Sequence, residues 1–191
     1  MKNRCSWCGT DPVYVKYHDE LWGVPVYDSK DLFAKLILDG AQAGLSWITI
    51  LKKWDGYYRA FDGLNPDIMA KYDEVKIQEL IVDEGIVRNK LKIRAAVTNA
   101  QAYLKIEEEL GSFSDYLWSF VDGKVIKNSL KDMSEAPATS PESDAMSKDL
   151  KKRGFKFVGT TICYAFMQAV GMINDHFTDC FRYEEVKKMS E

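Results

Sequence analysis

The two histidines of this chain lie near its opposite ends, and each has a cysteine close to it in the sequence. Cys5 accompanies His18 near the start, and Cys180 accompanies His176 near the end. Zinc prefers four nitrogen and sulfur ligands in a tetrahedron, and a closed Cys2His2 set leaves no position for a substrate. The four residues therefore predict a structural zinc ion that joins the two ends of the chain. His176 and Cys180 have the spacing of two ligands on one helical turn, whereas the fold must bring Cys5 and His18 together.

Other interpretations of these residues stay open at the level of the sequence. Without a metal, the histidines would lie on the surface and the thiols in the core. Cys8 also forms a C-x-x-C motif with Cys5, and this pair could supply two metal ligands or act as a redox couple. A thiol redox protein would place such a motif beside a βαβ unit, and the chain shows no βαβ pattern.

The length and composition are those of one ordinary domain. A chain of 191 residues can bury a full core, so we expect residues 1–191 to form a single domain with its ends joined through segments 5–18 and 176–180. The sequence has no apolar run near the ~18 residues of a membrane span and no secretory signal, which predicts a cytoplasmic location with free thiols. The net charge of −3 disfavours a generally basic surface but permits a local nucleic-acid-binding patch.

Apolar residues recur at helical spacing along the whole chain, which predicts an all-α fold. Asp28 is typical of a helix N-terminus, and Asn65 precedes a proline that begins a helical register continuing to Ile81. Residues 88–110 are expected to form one long helix with Leu91 facing inward. Residues 128–143, rich in serine, proline and acids, are predicted to form a surface loop.

The first candidate functional segment carries four aromatic residues among the predicted metal ligands: Trp7, Tyr14, Tyr17 and Trp22. Such side chains most often belong to a core. Residues 11–19 have little helical register, however, so we expect a loop of aromatic residues that is held by the metal. A flat, electron-poor base would stack well on these rings.

The second candidate segment carries Asp39 and Trp47 on either side of a stretch of glycines and small residues. Asp39 follows apolar residues, so its carboxylate is expected to be partly buried and to need a hydrogen-bond donor or a cation. An ordinary solvated acid at a helix end is the alternative. Gly44 permits a close backbone approach or a positive φ.

The third candidate segment, 151–161, contains a basic helix end, a short turn and a new helix that begins at Gly159. Helix N-termini present unpaired N–H groups to an anion, and the lysines add charge, so the segment is a candidate phosphate-binding site. It lacks the spacing of a nucleotide-binding P-loop. A solvated charge run at a helix C-terminus is the alternative.

Together these segments resemble the type I 3-methyladenine DNA glycosylases, a family within the helix-hairpin-helix superfamily of DNA repair enzymes. The motifs are Cys5-x-Trp7, Asp11-Pro12-x-Tyr14-x-x-Tyr17-His18-Asp19, Trp22-Gly23-Val24-Pro25, Ala43-Gly44-Leu45-Ser46-Trp47, the string from Leu150 to Gly159, and Asn174-Asp175-His176. They are spread over essentially the whole chain, so the match is specific.

The resemblance implies a helix-hairpin-helix glycosylase fold with one structural zinc ion, and it assigns roles to individual residues. The implied zinc ligands are Cys5, His18, His176 and Cys180, without Cys8. The implied base pocket consists of Trp7, Tyr14, Tyr17 and Trp47, with Asp39 at the catalytic position. The implied DNA contacts are Gly44, Leu45, Lys156, Gly159, Thr160 and Thr161. Gly44 and Leu45 would fill the space left by the flipped base. Asp175 is a weaker candidate for a catalytic carboxylate, because it adjoins a zinc ligand.

The implied activity is hydrolytic excision of N3-methyladenine from alkylated double-stranded DNA, which starts base excision repair by leaving an abasic site and releasing free 3-methyladenine. The cationic base is a good leaving group, and no lysine nucleophile is indicated, so we expect no strand-cleaving lyase step. By analogy the enzyme would be a monomer. The chain departs from the family at Asp39, where the family carries glutamate. A non-catalytic, zinc-bearing nucleic-acid-binding helical module is therefore the alternative.

Overall fold

The computed structural model describes residues 2–189, which form eleven α-helices and two very short strands. The helices are Pro12–Glu20 (α1), Ser29–Gln42 (α2), Trp47–Leu51 (α3), Trp54–Ala60 (α4), Pro66–Met69 (α5), Glu74–Val82 (α6), Lys90–Leu110 (α7), Phe113–Trp118 (α8), Pro141–Lys152 (α9), Thr160–Ala169 (α10) and Phe181–Met189 (α11). Ile126–Lys127 (β1) pairs in parallel with Ile173–Asn174 (β2). The all-α prediction is confirmed. Over the described range, none of the helices combines the length and the apolar character that crossing a membrane requires.

The segment 11–19 differs from the sequence-based prediction, because residues 12–20 form helix α1 rather than a loop. The Asp11 side chain accepts a hydrogen bond from the Val13 N–H at 2.9 Å, and Pro12 occupies the first helical position. These two residues are strong helix-start signals. The helical register was hard to recognise because the buried side of α1 carries Tyr17 and His18 in place of aliphatic residues.

Helix α2 is the centre of the fold, and every residue from Leu32 to Ala41 is buried. The predicted cap is confirmed, since Asp28 accepts hydrogen bonds from the backbone N–H groups of Lys30 and Asp31 at 2.9 and 3.0 Å. Helices α3, α7, α8 and α10 pack around α2. A helix buried on all sides has no solvated face, so its charged residues must find partners inside the protein.

Two other helix predictions need correction. The helix that begins after Asn65 ends at Met69, and α6 starts separately with Asp73 as its cap, so one expected helix is two. The long helix α7 is present, but Leu91 is 71% exposed because it lies in the first turn, on the side away from the buried Ile93. The predicted loop 128–143 is too long by three residues, because only 128–140 are irregular and α9 begins at Pro141 with a capping box at Ser140.

Candidate active site and metal centre

A cavity of about 310 Å³ lies where α1, α2, α3 and α10 meet. It brings together all the residues that were predicted to form the base pocket: Trp7, Tyr14, Tyr17, Asp39 and Trp47. Its other lining residues are Trp22, Gln42, Met133, Ala136, Ala165, Gln168, Ala169, Asp175 and Phe177. The volume lies at the lower end of the roughly 300–1,000 Å³ typical of small-molecule pockets, which suits a single flat base.

Aromatic rings form one wall of this cavity and support one another. Tyr14 and Tyr17 are three residues apart on α1 and so share a face of that helix. The Trp7 ring centroid lies 5.2 Å from that of Tyr14 and 4.7 Å from that of Trp22, while the Tyr17 and Trp47 centroids are 5.4 Å apart. Tilted and edge-to-face contacts at these distances are favourable, so the wall is largely formed before any ligand enters.

The carboxylate of Asp39 is buried at the cavity in the last turn of α2, with 2% of the residue exposed. One oxygen, Oδ1, accepts a hydrogen bond from Lys35 Nζ at 2.6 Å. The other, Oδ2, is buried and has no hydrogen-bond partner among the described residues. Burial raises the pKa of Asp39 and lowers the pKa of Lys35, and the attraction between the two opposes both shifts. The expected buried acid with a cationic partner is confirmed, and a solvated acid is excluded.

The loop between α2 and α3 carries Gly44 and Leu45 beside the cavity-lining residue Trp47. Gly44 has φ +78° with open space around it, and Leu45 is 41% exposed. Lys92 of α7 donates hydrogen bonds from Nζ to the carbonyl oxygens of Ala41 and Ala43 at 2.8 and 2.6 Å. An apolar side chain therefore projects from a loop whose base is fixed to the long helix.

Helices α9 and α10 form a hairpin around the turn 153–159. Gly159 is the N-terminal cap residue of α10 and offers no side-chain hydrogen bond, so side chains leave the first N–H groups of α10 uncapped. Lys156 and Thr161 are exposed, and Gly159 and Thr160 are half-buried. The Thr160 hydroxyl is hydrogen-bonded to the carboxylate of Asp144. The expected helix end, turn and new helix are present, and phosphate binding by this segment stays a prediction.

Asn99 of α7 holds this turn in place through two hydrogen bonds to one residue. Its side chain donates to the Lys156 carbonyl oxygen at 3.0 Å and accepts from the Lys156 N–H at 2.8 Å. Next to it, Phe157 has φ +55°, and a Cβ on Gly40 of α2 would lie only 3.3 Å from the Phe157 carbonyl oxygen. The hairpin turn is therefore packed against the same helix that carries Asp39.

Asp175 also lines the cavity, but hydrogen bonds occupy both of its oxygens. Oδ2 accepts from the Tyr164 hydroxyl and from Gln168 Nε2, both at 2.7 Å, and Oδ1 accepts from Asn128 Nδ2 at 2.7 Å. A carboxylate with three donors is held in one orientation. This favours a structural part for Asp175 and leaves Asp39 as the carboxylate with a free oxygen.

The four predicted metal ligands form one buried cluster in which the candidate ligand atoms all lie within 4.8 Å of one another. Cys180 Sγ lies 3.5 Å from His18 Nε2 and 3.7 Å from His176 Nδ1, and Cys5 Sγ lies 3.6 Å from His176 Nδ1. His176 and Cys180 lie in the irregular segment between β2 and α11, so the predicted placement on one helical turn is wrong. A turn before α11 brings the two side chains together instead.

The surroundings of the cluster orient its histidines. His18 Nδ1 lies 2.8 Å from the carboxylate of Asp19, and His176 Nε2 lies 3.1 Å from the Trp22 carbonyl oxygen. Each contact occupies the ring nitrogen that faces away from the cysteines, which is the usual second contact of a metal-binding histidine. A hydrogen bond from Cys5 lowers the pKa of Cys180 and raises that of Cys5, so one of the two sulfurs, that of Cys180, readily carries a negative charge.

Cys8 lies outside this cluster, because its Sγ donates to the Cys5 carbonyl oxygen at 3.2 Å. The cluster also adjoins the cavity wall. The Trp7 ring lies 5.3 Å from the His18 ring, and the Trp22 ring lies 4.5 Å from the His176 ring. The cluster thus fixes the two tryptophans that support the aromatic wall.

Several residues of the site were missed from the sequence, and two of them, Lys35 and Asn99, hold site residues in place. Lys35 stands four residues before Asp39, and an i, i+4 pair of opposite charges on an otherwise apolar helix is a signal that could have identified it. Asn99 gave no such signal, because its partners are backbone atoms of Lys156 that only folding brings near. Met133 and Ala136 gave no signal either, because only folding brings their loop to the cavity.

Known proteins resemble this chain over nearly its whole length. The family model described as methyladenine glycosylase matches residues 7–183. The DNA-3-methyladenine glycosylase 1 of Escherichia coli (strain K12) is 49% identical over 180 residues, which cover 94% of this chain and 96% of that protein. The DNA-3-methyladenine glycosylase of Haemophilus influenzae is 47% identical over 180 residues, which cover 94% and 97%. A solved structure of 3-methyladenine DNA glycosylase I from Staphylococcus aureus, concerned with 3-methyladenine recognition, matches with a TM-score of 0.91 at 42% identity over 94% of this chain and 96% of that chain.

Proposed function

Since this chain belongs to the methyladenine glycosylase family, we propose that it is a monofunctional DNA glycosylase acting on N3-methyladenine in alkylated double-stranded DNA. It flips the damaged base into the cavity, hydrolyses the N-glycosidic bond, and leaves an abasic site for base excision repair. The observation that carries this proposal is the aromatic cavity with one unpartnered carboxylate oxygen, Asp39 Oδ2.

The cavity suits the charge and shape of the base. Methylation at N3 makes the nucleobase in DNA cationic, and each good contact with an electron-rich ring contributes about 0.5–2 kcal/mol. Tyr14, Tyr17, Trp7 and Trp47 offer such rings. Asp39 Oδ2 accepts a hydrogen bond from an N–H group at the edge of the base. This bond supplies the donor that the buried oxygen lacks among the described residues of the free protein.

Hydrolysis at this site needs positioning more than acid catalysis. The cationic base leaves readily, so the enzyme stabilises the positive charge that develops on the sugar and admits a water nucleophile. Asp39 is the negative group we assign to that role. The cavity lining contains no lysine, and Lys35 Nζ is engaged by Asp39, which supports a reaction without a covalent enzyme–DNA intermediate.

We assign DNA binding to the hairpin of α9 and α10 and to the α2–α3 loop. We assign phosphate contacts to the N–H groups of Gly159, Thr160 and Thr161 and to the ammonium group of Lys156. Leu45, with the flexible Gly44 before it, would enter the space vacated by the flipped base. Both elements are anchored to α7, through Asn99 and Lys92 respectively.

The cysteine and histidine cluster fits a structural zinc ion. Cys5, His18, His176 and Cys180 provide two sulfur and two nitrogen ligands in a dry environment, and no position is left for a substrate. Zinc would supply charge neutralisation and crosslinking, and the chain's own part is to orient both imidazoles through Asp19 and the Trp22 carbonyl group. The expected monomeric state and cytoplasmic location stay predictions.

The test is release of free 3-methyladenine from methylated duplex DNA under single-turnover conditions, with the native chain and Asp39→Glu side by side. Release by the native chain, with strands that stay intact until the abasic sites are cleaved by alkali, supports the proposal. Release by Asp39→Glu alone would mean that aspartate disables the pocket. If neither releases base while both bind DNA, the non-catalytic binding module becomes the better description.

A further inference from the structure

The buried pair of Lys35 and Asp39 determines the chemical character of the cavity. We propose that Lys35 is a positioning residue that keeps Asp39 as a carboxylate with Oδ2 free in the cavity, and thereby selects a base that presents an N–H donor over one that presents a carbonyl oxygen. This inference rests on the proposed glycosylase function and names a specificity determinant of the same site.

The geometry ties Lys35 to two cavity-lining residues at once. Its Nζ lies 2.6 Å from Asp39 Oδ1 and 4.0 Å from the ring centroid of Trp47, and the residue is only 9% exposed. A cation held between a carboxylate and an aromatic face has little freedom to move. The contact with Oδ1 also fixes the carboxylate plane, so that Oδ2 is the oxygen left for a ligand.

No other cation takes the place of Lys35 among the described groups that face Asp39. Tyr17 of α1 and Cys163 of α10 also lie near the Asp39 carboxylate. Burial raises the pKa of Tyr17 well above its usual value and that of Cys163 to about 12, so both are neutral near pH 7. Asp175 shares the cavity but has its own three donors.

Removal of Lys35 would leave only the effect of burial on Asp39. Burial favours the protonated acid, so without Lys35 the pKa of Asp39 would rise further above its ordinary value. A protonated carboxyl group can donate a hydrogen bond, whereas a carboxylate can only accept one. Adenine presents an amino group at the position where guanine presents a carbonyl oxygen. Lys35 therefore favours 3-methyladenine over 3-methylguanine by keeping Oδ2 an acceptor.

The test compares the native chain with Lys35→Met and Lys35→Gln. In the unliganded full-length proteins, the side-chain carboxyl resonances of 13C-labelled aspartate are followed against pH, and Asp39 is assigned by its loss in Asp39→Asn. We expect Asp39 to take up its proton at least ~1 pH unit higher in Lys35→Met. Lys35→Gln keeps a hydrogen-bond donor without charge, and it carries the test if the methionine variant does not fold.

Single-turnover release of 3-methyladenine and 3-methylguanine is then measured across pH. The active carboxylate is present above the pKa of Asp39 and is lost as the pH falls through it. The acid limb of the pH–rate profile of Lys35→Met should therefore move to higher pH, by the same number of pH units as the Asp39 titration. The preference for 3-methyladenine at pH 7 should shrink. In an Asp39→Asn background, Lys35→Met should leave the pH profile where it is.

Titration of Asp39 at the same pH with and without Lys35 would overturn the inference, and so would a uniform loss of rate at every pH. The resonance measurement needs no activity. Failure of the proposed function would show instead as no base release by the native chain at any pH, with the Asp39 titration still responding to Lys35.

Discussion

Asp39 is one methylene shorter than the glutamate that the motif resemblance leads us to expect at this position, and Lys35 stands one helical turn before it. The 2.6 Å contact of their charged groups occupies one carboxylate oxygen and leaves the other buried without a hydrogen-bond partner among the described residues. A longer acid would have to fold back to keep that contact, or lose it to reach further into the cavity. Displacements of about 1 Å can cost ~100-fold in rate, so the effect of Asp39→Glu depends on this ion pair.

The buried ion pair of Lys35 and Asp39 should also affect the stability of the protein. Asp39→Asn leaves the Lys35 ammonium buried without a counter-charge, which we expect to lower the free energy of unfolding by roughly 3–5 kcal/mol. Adding Lys35→Met should restore most of the loss, because a buried ion pair and a neutral pair of similar size are nearly equivalent. Denaturant unfolding of the native chain, both single variants and the double variant measures this coupling. Additive losses would show that the two charges do not depend on each other.

Tyr14 offers the simplest test of the aromatic wall, since it is half-buried and its removal leaves the core intact. Tyr14→Ala deletes one ring, and a contact worth about 0.5–2 kcal/mol corresponds to a roughly 2- to 30-fold slower excision with subsaturating enzyme. Tyr14→Phe keeps the ring and should stay near the native rate. Equal losses in both variants would mean that the hydroxyl group matters and the ring does not.

At the scale of elements, the hairpin is positioned by a residue that belongs to neither of its helices. Asn99 of α7 makes both of its hydrogen bonds to the backbone of Lys156, in the turn between α9 and α10. The same helix fixes the α2–α3 loop through Lys92. One long helix thus aligns the proposed phosphate-binding turn with the loop that carries Leu45.

We therefore expect Asn99→Ala to weaken binding to duplex DNA and to destabilise the protein by about 1–3 kcal/mol, because it leaves the Lys156 N–H and carbonyl groups without their partner. Exchange of the Lys156 amide hydrogen, measured by NMR, should quicken. Gln101→Ala is the matched control on α7, since it removes one exposed hydrogen bond to the Ala70 carbonyl oxygen. Unchanged protection of the Lys156 amide in Asn99→Ala would contradict this account.

At the scale of the whole molecule, the metal cluster joins residues near the two ends of the chain and adjoins the aromatic wall through Trp7 and Trp22. A crosslink between distant positions restricts the unfolded chain, so its loss lowers stability, and metal binding contributes directly to folding. The cluster thus couples global stability to the geometry of the cavity.

We expect the four clustered residues to hold one zinc ion that stabilises the protein. Elemental analysis of the purified protein should find about one zinc ion per chain, and strong chelators should lower the temperature of thermal unfolding. Cys180→Ser should lose the metal, whereas Cys8→Ser, which changes a buried thiol outside the cluster, should retain it. Loss of zinc in Cys8→Ser with retention in Cys180→Ser would overturn the proposed ligand set.

The elements that could be predicted from the sequence are those whose signals are local. Asp28 and Asn65 cap helices because the side chain of an aspartate or asparagine can accept a hydrogen bond from the backbone N–H two residues later. This contact is local and does not depend on where the helix packs in the fold. The residue types for a metal, an aromatic pocket and a phosphate-binding turn could likewise be read from composition and motif. The loop predicted at 11–19 was wrong, since the apolar side of α1 consists of Tyr17 and His18 and does not show as an aliphatic pattern.

Which of these groups meet, and in what state, depends on the tertiary structure. Oδ2 of Asp39 lacks a partner among the described residues because α2 is buried on all sides and Lys35 contacts Oδ1 instead. His176 and Cys180 approach each other through the turn that follows β2 rather than through helical spacing. Such contacts link positions far apart in the chain, and their strength depends on burial, which no local pattern of residues specifies.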